Sequence, residues 1–123
     1  TVTLRKSYGG AHDVMSSKQL RGDFNYAWPT AEIAVMGAAG AIEVLEGRTI
    51  SKMEDPEEKA KFIAEKTAEY KDKFSNPYQA AAYGYIDDVI EPRNTRFRVI
   101  RAFQALQTKK LSNPLKKHSN IPL

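Results

Sequence analysis

Apolar residues stand at alternate positions where the chain begins, Val2 and Leu4, the period of a half-buried strand. The chain then passes through Gly9-Gly10 into His12 to Leu20, which reads as a short helix closed by the turn Arg21-Gly22-Asp23. Between Phe24 and Met36, aromatics surround Pro29. The run Ala31-Glu32-Ile33-Ala34-Val35-Met36 that follows, bounded by Pro and Gly, suits a strand buried on both faces. Glu32 interrupts that run; a carboxylate there needs a partner, so it belongs either to a structural ion pair or to an active-site wall. The small residues Gly37 to Ala41 lead into an apolar helix, Ala41 to Leu45, and allow it to approach a sheet or another subunit closely. Gly47 to Glu54 reads as a polar, mobile connection.

The sharpest local pattern comes next. Asp55 can cap a helix, Pro56 suits its first position, and Glu58 falls where a capping box needs it. Ala60, Ile63, Ala64, Thr67, Tyr70 and Phe74 then recur at three- and four-residue intervals, and Glu57/Lys61, Lys61/Glu65 and Glu69/Lys73 are spaced for ion pairs on the solvated face. Ser75-Asn76-Pro77 ends this helix and starts a brief one, Tyr78 to Ala82. Ile86, Val89 and Ile90 predict a short strand, and Pro92 opens a last helix, about Arg93 to Lys109, that buries some combination of Phe97, Ile100, Phe103 and Leu106. Leu111 to Leu123 has two prolines and little periodicity, which suits an extended arm on a neighbour.

Charge and composition narrow the chemistry. The net charge is +4, with the excess gathered in Arg93, Arg96, Arg98, Arg101, Lys109-Lys110 and Lys116-Lys117. These residues have helical spacing without an aromatic platform or a reading motif, so a solvated or subunit-contacting face fits better than nucleic-acid binding. No cysteine is present, which removes disulfides, thiolate metal sites and a thiol nucleophile. No apolar run reaches bilayer length and no signal-peptide pattern opens the chain, so direct membrane insertion is not expected.

Hydrolase and metal chemistry fail on inventory. Gly-x-Ser-x-Gly and His-Glu-x-x-His are absent, and the two histidines, His12 and His118, are far apart in sequence. His12 and Asp13 are neighbours on a helix and do not face each other, which argues for a pocket-wall or hydrogen-bonded His12 over a catalytic base. Asp87 and Asp88 alternate along a strand, point to opposite faces, and read as structural. Gly37 and Gly40 lack both the Gly-Lys-Ser/Thr ending and the dinucleotide spacing, so packing explains them. The Gly9-Gly10 pair is either a bare turn or the start of a helix whose free amides hold an oxyanion.

Three blocks carry a longer match: Tyr8-Gly9-Gly10-Ala11-His12-Asp13-Val14-Met15-Ser16-Ser17-Lys18, then Asn25 to Gly37, and the ending Lys116-Lys117-His118-Ser119-Asn120-Ile121-Pro122-Leu123. Together they closely resemble the carboxyltransferase subunits of biotin-dependent acyl-CoA carboxylases, nearest the propionyl-CoA/methylmalonyl-CoA branch with its transcarboxylase and decarboxylase relatives. The segment Gly84-Tyr85-Ile86-Asp87-Asp88-Val89-Ile90-Glu91-Pro92 also resembles the one that closes the core in enoyl-CoA hydratase-like folds. The resemblance implies an α/β chain, the last part of a crotonase-like (ClpP/enoyl-CoA hydratase) spiral of ββα units, with residues 1–123 forming the C-terminal portion of the second such domain in a much longer subunit. A start directly on a strand suits a boundary inside a longer protein or a proteolytic fragment.

The implied reaction moves a carboxyl group between carboxybiotin and an acyl-CoA, propionyl-CoA or methylmalonyl-CoA, in the carboxylase, transcarboxylase or decarboxylase direction. Biotin would arrive on a biotin carboxyl carrier protein, no metal is called for in this segment, and the full-length family is a homo-oligomer, a hexamer, with each active site between two subunits. The compartment would be the bacterial cytoplasm or the mitochondrial matrix. Carried over by position, Gly10 and Ala11 correspond to the backbone hole that receives the biotin ureido oxygen, with a glycine at position 10 because a β-carbon would obstruct the cofactor. Asp13 corresponds to a residue lining the acyl pocket, and His12 stands beside it where the branch often has tyrosine. A non-catalytic interaction module on the same scaffold is the alternative.

Overall fold

Each of the first two turns of the chain lays down two short strands and then a helix. The computed structural model describes residues 1–112. The first turn is β1 (Val2–Thr3), β2 (Lys6–Tyr8) and α1 (Gly9–Val14); the second is β3 (Tyr26–Ala27), β4 (Glu32–Ala34) and α2 (Ala38–Ile50). Corresponding strands then stack in parallel, Val2 opposite Tyr26 in one sheet and Ser7 opposite Ile33 in the other. After α3 (Pro56–Phe74) and α4 (Pro77–Ala82), β5 (Asp88–Val89) adds to the first sheet beside β3, giving the order β1-β3-β5, and α5 (Thr95–Ala105) ends the described chain. Parallel neighbours require a crossover between them, and the helices of each turn provide it. This is a spiral of ββα units, as the family resemblance implied.

The core is narrow. Ala27, Ala31, Ile33, Ala80 and Ile86 form its centre, between the sheets and α4. Alanine in these positions lets strands and helix approach closely.

Two carboxylates fasten the third turn of the spiral onto the first two. Asp87 accepts from the Asn25 amide at 2.7 Å and pairs with Lys18 Nζ at 2.8 Å. Asp88 instead pairs with Arg98 of α5, whose guanidinium also lies 5.2 Å from the Tyr26 ring centroid. The opposite faces expected of adjacent strand residues are therefore used for two separate structural bonds. Arg-Gly-Asp is likewise a turn: Arg21 is left-handed at φ 66°, a β-carbon on Gly22 would meet the Ser16 carbonyl oxygen at 2.2 Å, and Asp23 pairs with Lys109 at 2.5 Å.

Several boundaries differ from the periodicity. The opening strand is broken into two, so Thr3 is buried while Leu4 is 48% exposed. The helix expected over His12 to Leu20 starts earlier, at Gly9, stops at Val14, and gives way to a 3-10 turn, Lys18–Leu20, because Ser16 takes a left-handed conformation at φ 68°. The strand expected through Met36 ends at Ala34, and Val35 is exposed. α2 runs through Gly47 to Ile50, where a connection was expected. α5 begins after a 3-10 turn, Pro92–Asn94, and ends at Ala105; Phe97, Ile100 and Phe103 are exposed on it rather than buried. On α3, the ion pair that forms is Lys66–Glu69, not the three read from spacing; exposed pairs are nearly isoenergetic, so spacing alone does not select among them. The expected arm beyond residue 112 lies outside the described residues.

Candidate functional site

α1 leaves the end of β2 at the mouth of the second sheet. Gly9 makes that junction: its φ is +52°, and a β-carbon there would lie 2.8 Å from the Val35 carbonyl oxygen. Only glycine fits. Gly10 differs in both respects, having no positive φ and nothing within 4 Å of where its β-carbon would stand. No side chain caps this helix. By geometry the amides of its first turn lack intrahelical acceptors, and among the described residues neither Gly10 nor Ala11 donates to an acceptor elsewhere.

Beside α1 lies an open groove of about 540 Å³. It is lined by Ile33 and Ala34 of β4 and by the aromatic side chains of Tyr70, Phe74, Tyr83 and Tyr85. Gly9, His12 and Asp13 line it from the helix, whereas Gly10 and Ala11 do not. Helical period explains the split, since positions i, i+3 and i+4 share a face. Backbone N–H vectors run along the helix axis rather than radially, so the Gly10 and Ala11 amides point out of the N-terminal mouth of α1 whichever face their Cα atoms occupy.

His12 is anchored: Ser7 Oγ lies 2.8 Å from its Nδ1. It makes no bond to Asp13, in line with the expectation that it is a hydrogen-bonded wall residue. Glu32 resolves differently from either sequence expectation. It is neither in an ion pair nor in the groove lining; the Tyr8 hydroxyl donates to it across the β2–β4 pair. Burial, then the bond to Glu32 and the repulsion of its charge, push the Tyr8 hydroxyl up to about 12. The Tyr8 ring also lies 3.6 Å from where Gly37 would carry a β-carbon, an ordinary van der Waals contact. Among the described residues no three His, Cys, Asp or Glu side chains converge as a metal set.

A small hydroxylated side chain on β2 had no sequence signal as part of the site. Ser7 is named by the structure alone, because the contact spans a strand-to-helix bend whose geometry is set by Gly9.

Comparison with known proteins places this geometry. The family model for the carboxyl transferase domain matches residues 1–121. The propionyl-CoA carboxylase beta chain of Cereibacter sphaeroides is 60% identical over all 123 residues, and the methylmalonyl-CoA decarboxylase subunit alpha of Propionigenium modestum is 50% identical over the same span. The chain covers 23% of the length of each of these relatives. A crystal structure of transcarboxylase 12S with methylmalonyl-coenzyme A and methylmalonic acid bound superposes with a TM-score of 0.86 at 46% identity, covering 100% of this chain and 23% of that one. The stacked ββα turns are thus those of a crotonase-like fold, and the chain belongs to the carboxyl transferase domain family.

Proposed function

We propose that residues 1–123 are the C-terminal portion of the second crotonase-like domain of a biotin-dependent acyl-CoA carboxyltransferase, acting on propionyl-CoA or methylmalonyl-CoA. Gly10 and Ala11 form the biotin-side oxyanion hole, and His12 and Asp13 line the acyl pocket. The observation that carries this is the pair of unpartnered amides at the mouth of α1, next to a groove that the same helix lines with His12 and Asp13.

Carboxyl transfer would place negative charge on the ureido oxygen of bound biotin and, separately, on the thioester oxygen of the acyl-CoA, and each would need donors. Two preformed donors stabilise the first of these without reorganising during the reaction. The chain's own contribution is therefore to bind and orient; biotin, on its carrier protein, supplies the carboxyl group. The reading includes a homo-oligomer, a hexamer in the full-length protein, with a partner subunit completing the groove, in the bacterial cytoplasm or the mitochondrial matrix.

Gly10→Val in the full-length subunit tests it. Position 10 has room for a side chain within the fold, so obstruction falls on the ligand. Transfer between methylmalonyl-CoA and free biotin should fall by roughly a hundredfold, the scale of one lost oxyanion donor, with assembly unchanged by size exclusion. Normal turnover would reject the hole and favour the non-catalytic module. Gly9→Ala is unsuitable for this purpose, because the Val35 carbonyl would be displaced and the fold itself disturbed.

A further inference from the structure

Ser7 Oγ lies 2.8 Å from Nδ1 of His12 and has no other hydrogen-bond partner among the described residues. The tautomer decides which of the two donates, and in one tautomer Ser7 donates to Nδ1. An imidazole accepting at Nδ1 carries its own proton on Nε2. The two nitrogens lie on different edges of the ring. With Nδ1 turned to β2, the edge left for the groove that His12 lines is the one bearing Nε2–H. Half-buried and tethered on the other side, that donor is held in one orientation before any ligand arrives.

We infer that Ser7 donates to Nδ1 of His12 and that the pair forms a specificity element, in which Ser7 positions the imidazole and His12 Nε2–H donates to an acceptor oxygen on the acyl group bound in the groove. This rests on the reading of the groove as the acyl pocket. Charge that develops on the ureido oxygen is left to the α1 amides. In methylmalonyl-CoA the acceptor is the free carboxylate, already charged before transfer begins, so the imidazole contributes to substrate binding and not to the charge that develops. Its loss should therefore appear in KM rather than in kcat.

Amide isosteres separate the two ring nitrogens. In Gln the terminal amide nitrogen reaches the place of Nε2, whereas in Asn the amide reaches only the place of Nδ1. In the full-length subunit, His12→Gln should keep KM for methylmalonyl-CoA within about threefold, and His12→Asn should raise it roughly tenfold, the worth of one ordinary hydrogen bond, with kcat nearly constant. Ser7→Ala should raise KM in the wild-type background, Ser7→Thr should restore it, and Ser7→Ala should add nothing to His12→Gln. Equal KM values for His12→Gln and His12→Asn, or a Ser7→Ala effect undiminished in the His12→Gln background, would overturn the inference. If Gly10→Val abolishes transfer while the Ser7 and His12 variants all keep wild-type KM, the specificity element fails and the oxyanion hole stands. If Gly10→Val is silent, the underlying reading fails instead.

Discussion

Adjacent glycines at the start of α1 have different jobs, and the sequence does not tell them apart. Gly9 answers to the fold, through a positive φ and the nearby Val35 carbonyl; Gly10 is free on both counts and so remains available to a ligand. The neighbouring Tyr8 shows how a residue-scale bond sets a pH response. Its ordinary value of 10.0 is raised to about 12 by burial first, then by the hydrogen bond and charge of Glu32. A group whose folded value is raised favours folding below its unfolded value and loses that contribution as pH rises through the folded one. The Tyr8–Glu32 bond should thus support the fold fully below pH 10.0 and fade as the pH passes about 12. The difference between the tyrosinate absorbance titrations of wild type and Tyr8→Phe should show one hydroxyl ionising near 12; a difference curve centred on 10 would show that the bond does not form in solution.

Helix ends were the most legible feature at the level of elements, because their determinants lie within four residues. Asp55 accepts from the Glu57 amide at 3.0 Å, with Pro56 at the first position, and α3 begins where the sequence placed it. The reciprocal Glu58 bond of a full capping box is absent among the described residues. Asn76 is a stronger cap than the sequence suggested. Its Oδ1 accepts from the Gln79 amide at 3.0 Å while its Nδ2 donates to the Asp72 carbonyl at 2.8 Å, so one side chain closes α3 and opens α4. Asn76→Ala should cost about 1 kcal/mol or somewhat more, seen as a lower denaturation midpoint; an unchanged midpoint would mean that water replaces both bonds. The opening segment was misread for the converse reason. Its strand break at Leu4-Arg5 answers to the parallel pairing of Val2 with Tyr26 and of Ser7 with Ile33, more than twenty residues away in sequence, and alternation within one segment carries no trace of that pairing. The candidate site follows the same division. Gly10, Ala11 and Asp13 are proposed from a local motif, whereas Ser7 has no such signal in the sequence.

Viewed as a whole molecule, the described chain has more apolar surface than core. Five of its ten buried hydrophobic residues are alanines, while Leu45, Phe74, Phe97, Ile100 and Phe103 are all exposed. Exposed aliphatic and aromatic side chains in this number on one small domain mark surfaces that association covers. They fall on three different helices, α2, α3 and α5, so one flat contact would not bury them all. This accords with a segment that covers 23% of the length of its relatives. A groove open along one side holds its ligand only if another surface completes it, and a hole for one of two developing charges lowers only part of the barrier. The 123-residue chain alone should therefore bind an apolar fluorescent dye and associate as its concentration rises. It should show no decarboxylation of methylmalonyl-CoA with free biotin under conditions where the full-length subunit turns over. Measurable turnover by the isolated chain would mean that both charges are met within these residues, and the division of the site between two domains would have to be abandoned.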